Sequence, residues 1–140
     1  MKFAIGKDQL GEVVTDWSQK KPIAVFRAGS PTGCGYTNET NMRLKISGLS
    51  LPFLDAGIVA VGSRSLKFDP KEGLGFLDTD LKPVPFLNLK QQSEYKYIVH
   101  IDGNVAAYRL LKFMLLGSVI LKVKGKYTLW YEHLLKPGVH

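Results

Sequence analysis

The residues best equipped for chemistry are two arginines, each beside a run of glycine and small polar side chains. Arg27 opens the stretch Arg-Ala-Gly-Ser-Pro-Thr-Gly-Cys-Gly at 27–35, and Arg109 follows the turn Asp102-Gly103-Asn104, with Arg43 lying between the two. Guanidinium forks, hydroxyls such as Ser30 and Thr32, and backbone uncovered at Gly33 and Gly103 are means by which a protein holds a phosphate. Each group has a plainer reading that residue type leaves open: Arg27 and Arg43 as surface cations, 27–35 as a glycine-rich surface turn, Arg109 with Lys112 as the solvated edge of a helix. As a motif the loop is weak. Asn38 stands where the third glycine of a dinucleotide fingerprint would be, and no glycine-lysine-serine/threonine ending makes a nucleoside-triphosphate loop.

Other candidates carry less. Cys34 is the single cysteine, which excludes an internal disulfide framework and a thiolate-rich zinc site. His100 sits in an apolar strand and reads as a packed histidine. Glu132-His133 with His140 has no metal-ligand spacing, so no metal is expected. Neither Cys34 nor any serine has a base beside it in sequence.

Positioning a phosphate takes a strand to aim the loop and a helix behind it. Residues 95–123 supply that order: a β-branched run at 97–101, the turn 102–104, a helix-length apolar segment at 105–116 ended by Gly117, and a second apolar run at 119–123. In a parallel sheet such a unit places the turn at the carboxyl edge, where open α/β folds bind ligands. Asn104 is the expected N-cap of the helix, with free amides behind it, and Arg109 in its second turn would lean back toward the turn. The helix is apolar almost all round except for Arg109 and Lys112, so a buried crossover is expected. Upstream, residues 23–26 read as a buried strand, 40–46 as a helix, 54–61 as a strand and 89–93 as a short helix. Residues 62–82 read as an irregular, mobile excursion, and 1–21 as a lead-in whose Leu10, Val13, Val14 and Trp17 share one helical face.

At 140 residues the chain reads as one domain. It has 19 basic against 12 acidic residues, net +7, and beyond Arg109 the only acid is Glu132. That excess favours anionic partners: a phosphorylated small molecule, a nucleic acid or an anionic membrane. The opening residues are too weakly apolar for a secretory signal and residues 110–123 too charged to span a bilayer, so a soluble cytoplasmic protein without a membrane span is expected. Asn38-Glu39-Thr40 fits a glycosylation acceptor, taken as accidental without a signal.

The segment FLNLKQQSEYKYIVHIDGNVAAYRLLKFMLLGSVILKV, preceded by VFRAGSPTG and followed by LWYEHLLKP, resembles glycosyltransferase family 90, the capsule-associated, lipopolysaccharide-modifying and protein O-glucosyltransferase group. The resemblance runs over residues 22–135 and is sharpest at 95–118. It implies an α/β, Rossmann-like parallel sheet flanked by helices, like the C-terminal, donor-binding half of a GT-B glycosyltransferase, with the acceptor lobe absent from the chain. It also implies inverting, metal-independent transfer of a hexose or pentose from a UDP-sugar to a hydroxyl on a glycan, lipopolysaccharide or protein. Carried over by motif, the donor-binding residues are Arg27, Ser30, Thr32, Gly33, Arg43, Gly103, Asn104, Val105, Ala106 and Arg109, with Glu132 where such folds hold the ribose. Arg27 and Arg109 would stabilise the leaving group, and no catalytic base is expected in this chain. Ala28 lengthens the first loop by one residue relative to the family.

Two other classes stay open. A nucleic-acid-binding module fits the charge, but the lysines are not interleaved with an aromatic platform, so nucleic acid is not expected. A non-catalytic sugar-nucleotide-binding or scaffolding remnant, pairing with a separate acceptor-binding lobe or acting without one, differs from the enzyme only in turnover.

Overall fold

The computed structural model describes residues 14–61, 66–136 and 138. Its centre is a four-stranded, all-parallel sheet in the order β2-β1-β5-β6, from β1 (Lys21–Ala28), β2 (Leu54–Ile58), β5 (Tyr95–His100) and β6 (Val119–Lys122). Three short α-helices flank it: α1 (Met42–Ser47), α2 (Leu89–Ser93) and α3 (Arg109–Met114). The parallel sheet agrees with the strand–turn–helix–strand unit, and the α/β, Rossmann-like architecture with what the resemblance implies.

The pleat sorts the core into two layers. Ala24, Phe26 and Ala28 of β1 face Leu44 of α1 together with Ile58, Val99 and Ile101, whereas Val25 and Ile98 face Phe113 and Leu116 at α3. β1 and β5 read as continuous apolar runs because both faces are covered. Burying a side chain such as Leu44 or Phe113 contributes roughly 1.5–3 kcal/mol. Below the sheet, Lys20 is buried and its Nζ donates to the carbonyls of Ser93 and Leu116 and to Ser118 Oγ, tying together the ends of α2 and α3.

Several elements differ from the sequence reading. Residues 66–76 are a hairpin, β3 (Leu66–Asp69) antiparallel to β4 (Gly73–Phe76), where an irregular excursion was expected. The cause is a period-2 alternation, Leu66-Lys67-Phe68 against Leu74-Gly75-Phe76, closed by a turn whose Asp69 Oδ1 accepts from the Lys71 and Glu72 amides. β2 stops at Ile58 rather than Val61. The helix expected over 105–116 is only α3, six residues, and Tyr108, not Asn104, holds its N-cap position without a side-chain cap bond. Residues 102–107 instead close on themselves, since Asp102 Oδ1 accepts from the Ala107 amide at 2.9 Å. Arg109 is thus the first residue of the helix, not part of a second turn.

α3 is not buried all round. Leu110 and Phe113 are buried, but Leu111 is 52% exposed and Leu115 42%. β6 is an edge strand whose Val119 and Leu121 are also exposed. Of the lead-in, Leu10 and Val13 lie outside the described residues, and Trp17–Gln19 forms a single 3₁₀ turn. Residues 127–135 form no strand, only a 3₁₀ turn at Glu132–Leu134.

Candidate functional site

Two loops meet at the carboxyl edge of the sheet, one after β1 and one after β5. The first is held from beneath. Asn41 caps α1 through Oδ1, which accepts from the Arg43 and Leu44 amides at 3.0 and 3.2 Å, while its Nδ2 donates to Pro31 O and Gly35 O. Gly35 sits at φ 83°, and a Cβ there would run into the Thr40 backbone, so glycine is required at that bend.

Arg43 rivets the two loops together. Its guanidinium donates to Asp102 O at 3.1 Å, Ile101 O at 3.1 Å and Ser30 O at 3.3 Å. Gly103 makes this possible in a way sequence reading did not foresee. A Cβ on it would stand 2.6 Å from Thr32 Oγ1 and 3.0 Å from Arg43 Nη2, so the glycine makes room for protein side chains. The second loop is fixed by Asn104, whose Oδ1 accepts from the Gly33 amide at 2.8 Å and whose carbonyl accepts from the Tyr127 hydroxyl at 2.6 Å. The amides of Asn104, Val105 and Ala106 donate to no acceptor among the described residues.

Two adjoining clefts open here. One, of about 390 Å³, is walled by Ser30, Thr32, Gly33, Lys67, Asn104 and Tyr127. The other, of about 200 Å³, shares Thr32, Gly33 and Tyr127 and adds Arg43, Asp102 and Lys124. Their polar character is cationic. Burial pushes Arg43 down to about 10, with Arg109 adding repulsion and Asp102 partly opposing, and burial also lowers Arg109. Both guanidinia stay charged at neutral pH. Among the described residues neither forms an ion pair with a carboxylate.

Structure thus gathers Ser30, Thr32, Gly33, Arg43, Gly103 and Asn104 around one opening. Arg109 lines neither cleft, and its Nη1 donates to Arg27 O at 2.9 Å rather than toward the 103–104 turn. Val105 is exposed, and Ala106 packs against Leu110, Leu129 and Tyr131. Arg27 points elsewhere. Residues 25 and 27 share a pleat face, opposite α1, and the guanidinium is consumed by Asp55 Oδ1 at 2.6 Å and by the carbonyls of Phe26, Asp55 and Pro85. Burial raises Asp55, but the Tyr95 hydroxyl and Arg27 outweigh it and hold the carboxyl below its ordinary value. Glu132 pairs with Lys122 at 3.1 Å and lines neither cleft.

Lys67 was overlooked entirely. Its Nζ donates to Pro31 O and, at 3.3 Å, to Gly33 O, and burial followed by repulsion from Arg43 lowers its pKa. The alternation of the hairpin was the signal available for it. His100, expected as a packed histidine, is fully buried beside Phe113, with Nε2 3.7 Å from Asp102 Oδ1. Among the described residues no group of three or more His, Cys, Asp or Glu is arranged to hold a metal, and no helix is long and apolar enough to cross a membrane.

Comparison with known proteins adds a family. The sequence model described as glycosyl transferase family 90 matches residues 7–140. Uncharacterized protein 035R of Invertebrate iridescent virus 3 is 41% identical over 135 residues, covering 92% of this chain and 12% of the viral protein. Uncharacterized protein 179R of Invertebrate iridescent virus 6 is 36% identical over 149 residues, covering 90% of the chain and again 12% of the relative. Protein O-glucosyltransferase 3 of Mus musculus is 31% identical over 134 residues, covering 93% of the chain and 23% of the relative. The chain therefore spans between an eighth and a quarter of the length of these relatives.

Proposed function

The chain belongs to glycosyl transferase family 90, and from that membership we propose that it is the donor-binding part of a glycosyltransferase, corresponding to the C-terminal half of a GT-B enzyme. In this reading it holds a UDP-sugar whose hexose or pentose passes, with inversion and without a metal ion, to a hydroxyl of a glycan, lipopolysaccharide or protein. The observation that carries the reading is the pair Arg43 and Arg109: one buried and one half-buried guanidinium, close enough for Arg109 to repel Arg43, with no carboxylate paired to either among the described residues. Buried like charges are unfavourable unless an anion joins them. A diphosphate is such an anion, and the unclaimed amides at 104–106 with the Thr32 hydroxyl give it further donors.

In the transfer, the acceptor oxygen attacks the anomeric carbon, a base takes its proton, and the bond to the diphosphate oxygen breaks. Negative charge then builds on the departing diphosphate, and cations already in place stabilise it without reorganising. Arg27 acts at one remove, through the carbonyl that orients Arg109. Among the described residues Asp102 is the only carboxylate lining either cleft, and its Oδ1 is committed to the Ala107 amide. The base is therefore assigned to a separate acceptor-binding lobe. The same observation favours a second reading, a sugar-nucleotide-binding unit without turnover.

Calorimetric titration of UDP tests the site. The protein should bind UDP, and Arg109→Ala should weaken binding at least tenfold. Equal affinity in both proteins would remove Arg109 from the site, and no binding by the unaltered chain would reject the donor-site reading.

A further inference from the structure

The β3–β4 hairpin is patterned inside out. Leu66, Phe68, Leu74 and Phe76 are all more than half exposed, while the face turned toward the body of the protein carries Lys67, paired across the hairpin with Gly75, and the buried Asp69 that closes the turn. A strand laid on a protein ordinarily points its apolar residues inward and its lysines out. Gly75 offers no side chain because the Tyr36 ring occupies that space: a Cβ would come within 2.5 Å of it. The hairpin is also anchored on the first loop, where the Gly35 amide donates to Phe68 O at 3.2 Å. It therefore brings a cation to the wall of the larger cleft, beside Thr32 and Gly33, where Leu66 and Phe68 also line the opening.

The fold gives that cation no counter-charge among the described residues. Its partners are Pro31 O and Gly33 O, two neutral carbonyls at the cleft wall. Immobilising a lysine costs side-chain entropy, and part of its hydration is lost as well. Departures from local patterning of this kind concentrate at functional sites. We propose that Lys67 is a ligand of the donor's diphosphate, presented by the hairpin across the cleft from the Asn104 turn. The assignment rests on the donor-site reading above and adds a contact outside the residues that reading started from. When the anion binds, Nζ exchanges carbonyl acceptors for a phosphate oxygen, a stronger, charge-assisted bond.

The test compares UDP by calorimetry with uridine by NMR titration, in the unaltered chain and in Lys67→Met, Lys67→Arg and Lys71→Met. Lys67→Met should weaken UDP at least tenfold and uridine less than twofold, Lys67→Arg should keep UDP within about threefold, and Lys71→Met, on the hairpin turn, should change neither. Should Lys67→Met not fold, Lys67→Gln, which removes the charge but keeps a hydrogen-bond donor, makes the same comparison. Unchanged UDP affinity overturns the assignment, as does an equal loss for UDP and uridine, which would mark Lys67 as a support of the loop alone. If the unaltered chain binds no UDP, the donor-site reading falls first and the role of Lys67 with it.

Discussion

Replacing Gly103 by alanine adds one methyl group at the point where the two cleft loops touch. Its position follows from the backbone: 2.6 Å from Thr32 Oγ1 and 3.0 Å from Arg43 Nη2. Relaxed contacts to carbon lie at about 3.5 Å, so Thr32 must retreat by nearly an ångström and Arg43 by about half that. Thr32 has room to turn at the cleft wall. Arg43 has little, because three carbonyls hold it. Overpacking of this kind costs about 1–3 kcal/mol, and roughly 2 kcal/mol is expected here, a fall in Tm of about 6 °C for a chain of this size. Removing the hydroxyl by Thr32→Ala should relieve the shorter contact, so that Gly103→Ala costs about 1 kcal/mol in that background. Urea unfolding of the four proteins measures the coupling directly. If Gly103→Ala costs the same with and without the Thr32 hydroxyl, the close approach is not why glycine stands at this position.

His100 should make stability depend on pH. Burial, opposed by Asp102 and reinforced by Arg109, Lys122 and Arg43, holds it down to about 4 in the fold against 6.5 unfolded, so the unfolded state takes up the extra proton as pH falls between those values. Stability should then drop by ~2–3 kcal/mol from pH 7 to pH 4, and a His100→Gln variant whose unfolding free energy shows the same slope would refute this. UDP binding should survive a chelator and weaken as ionic strength rises, because the proposed contacts are charge-based; a requirement for manganese would exclude the metal-independent reading. Purified alone, the chain should bind UDP-sugar without appreciable transfer, since a positioned base supplies roughly 10²–10⁴-fold and among the described residues the clefts offer only Asp102 as a carboxylate. Robust transfer to an added acceptor, followed by UDP release, would show that the catalytic set is already present.

Much of this protein was legible before any coordinates. Ile23-Ala24-Val25-Phe26 and the run at 97–101 are apolar without alternation, which is what a strand covered on both faces requires, and they became the two central strands. Residues 89–93 read as a short helix and form one, Leu89–Ser93, whose start the structure shows closed by a capping box between Asn88 and Gln91. The order strand, turn, helix, strand was enough to place 102–104 at the carboxyl edge of a parallel sheet, where the two clefts open.

What sequence could not decide was which way each charged group turns, because that depends on neighbours remote along the chain. Arg27 and Arg43 look alike as cations flanking a glycine loop. Only the strand order, with β2 beside β1, brings Asp55 to Arg27 and takes that guanidinium away from the clefts, while α1 carries Arg43 onto the opposite face and under the loops. Asn104 has the chemistry of an N-cap, but its side chain accepts from Gly33 and the helix starts five residues later, because a turn is shaped by the loop it meets. The inward lysine of the hairpin is the extreme case. Period-2 alternation shows that Lys67 faces opposite to Leu66 and Phe68, yet which face is inside is a property of the surface the hairpin lands on, and that surface exists only once the chain has folded.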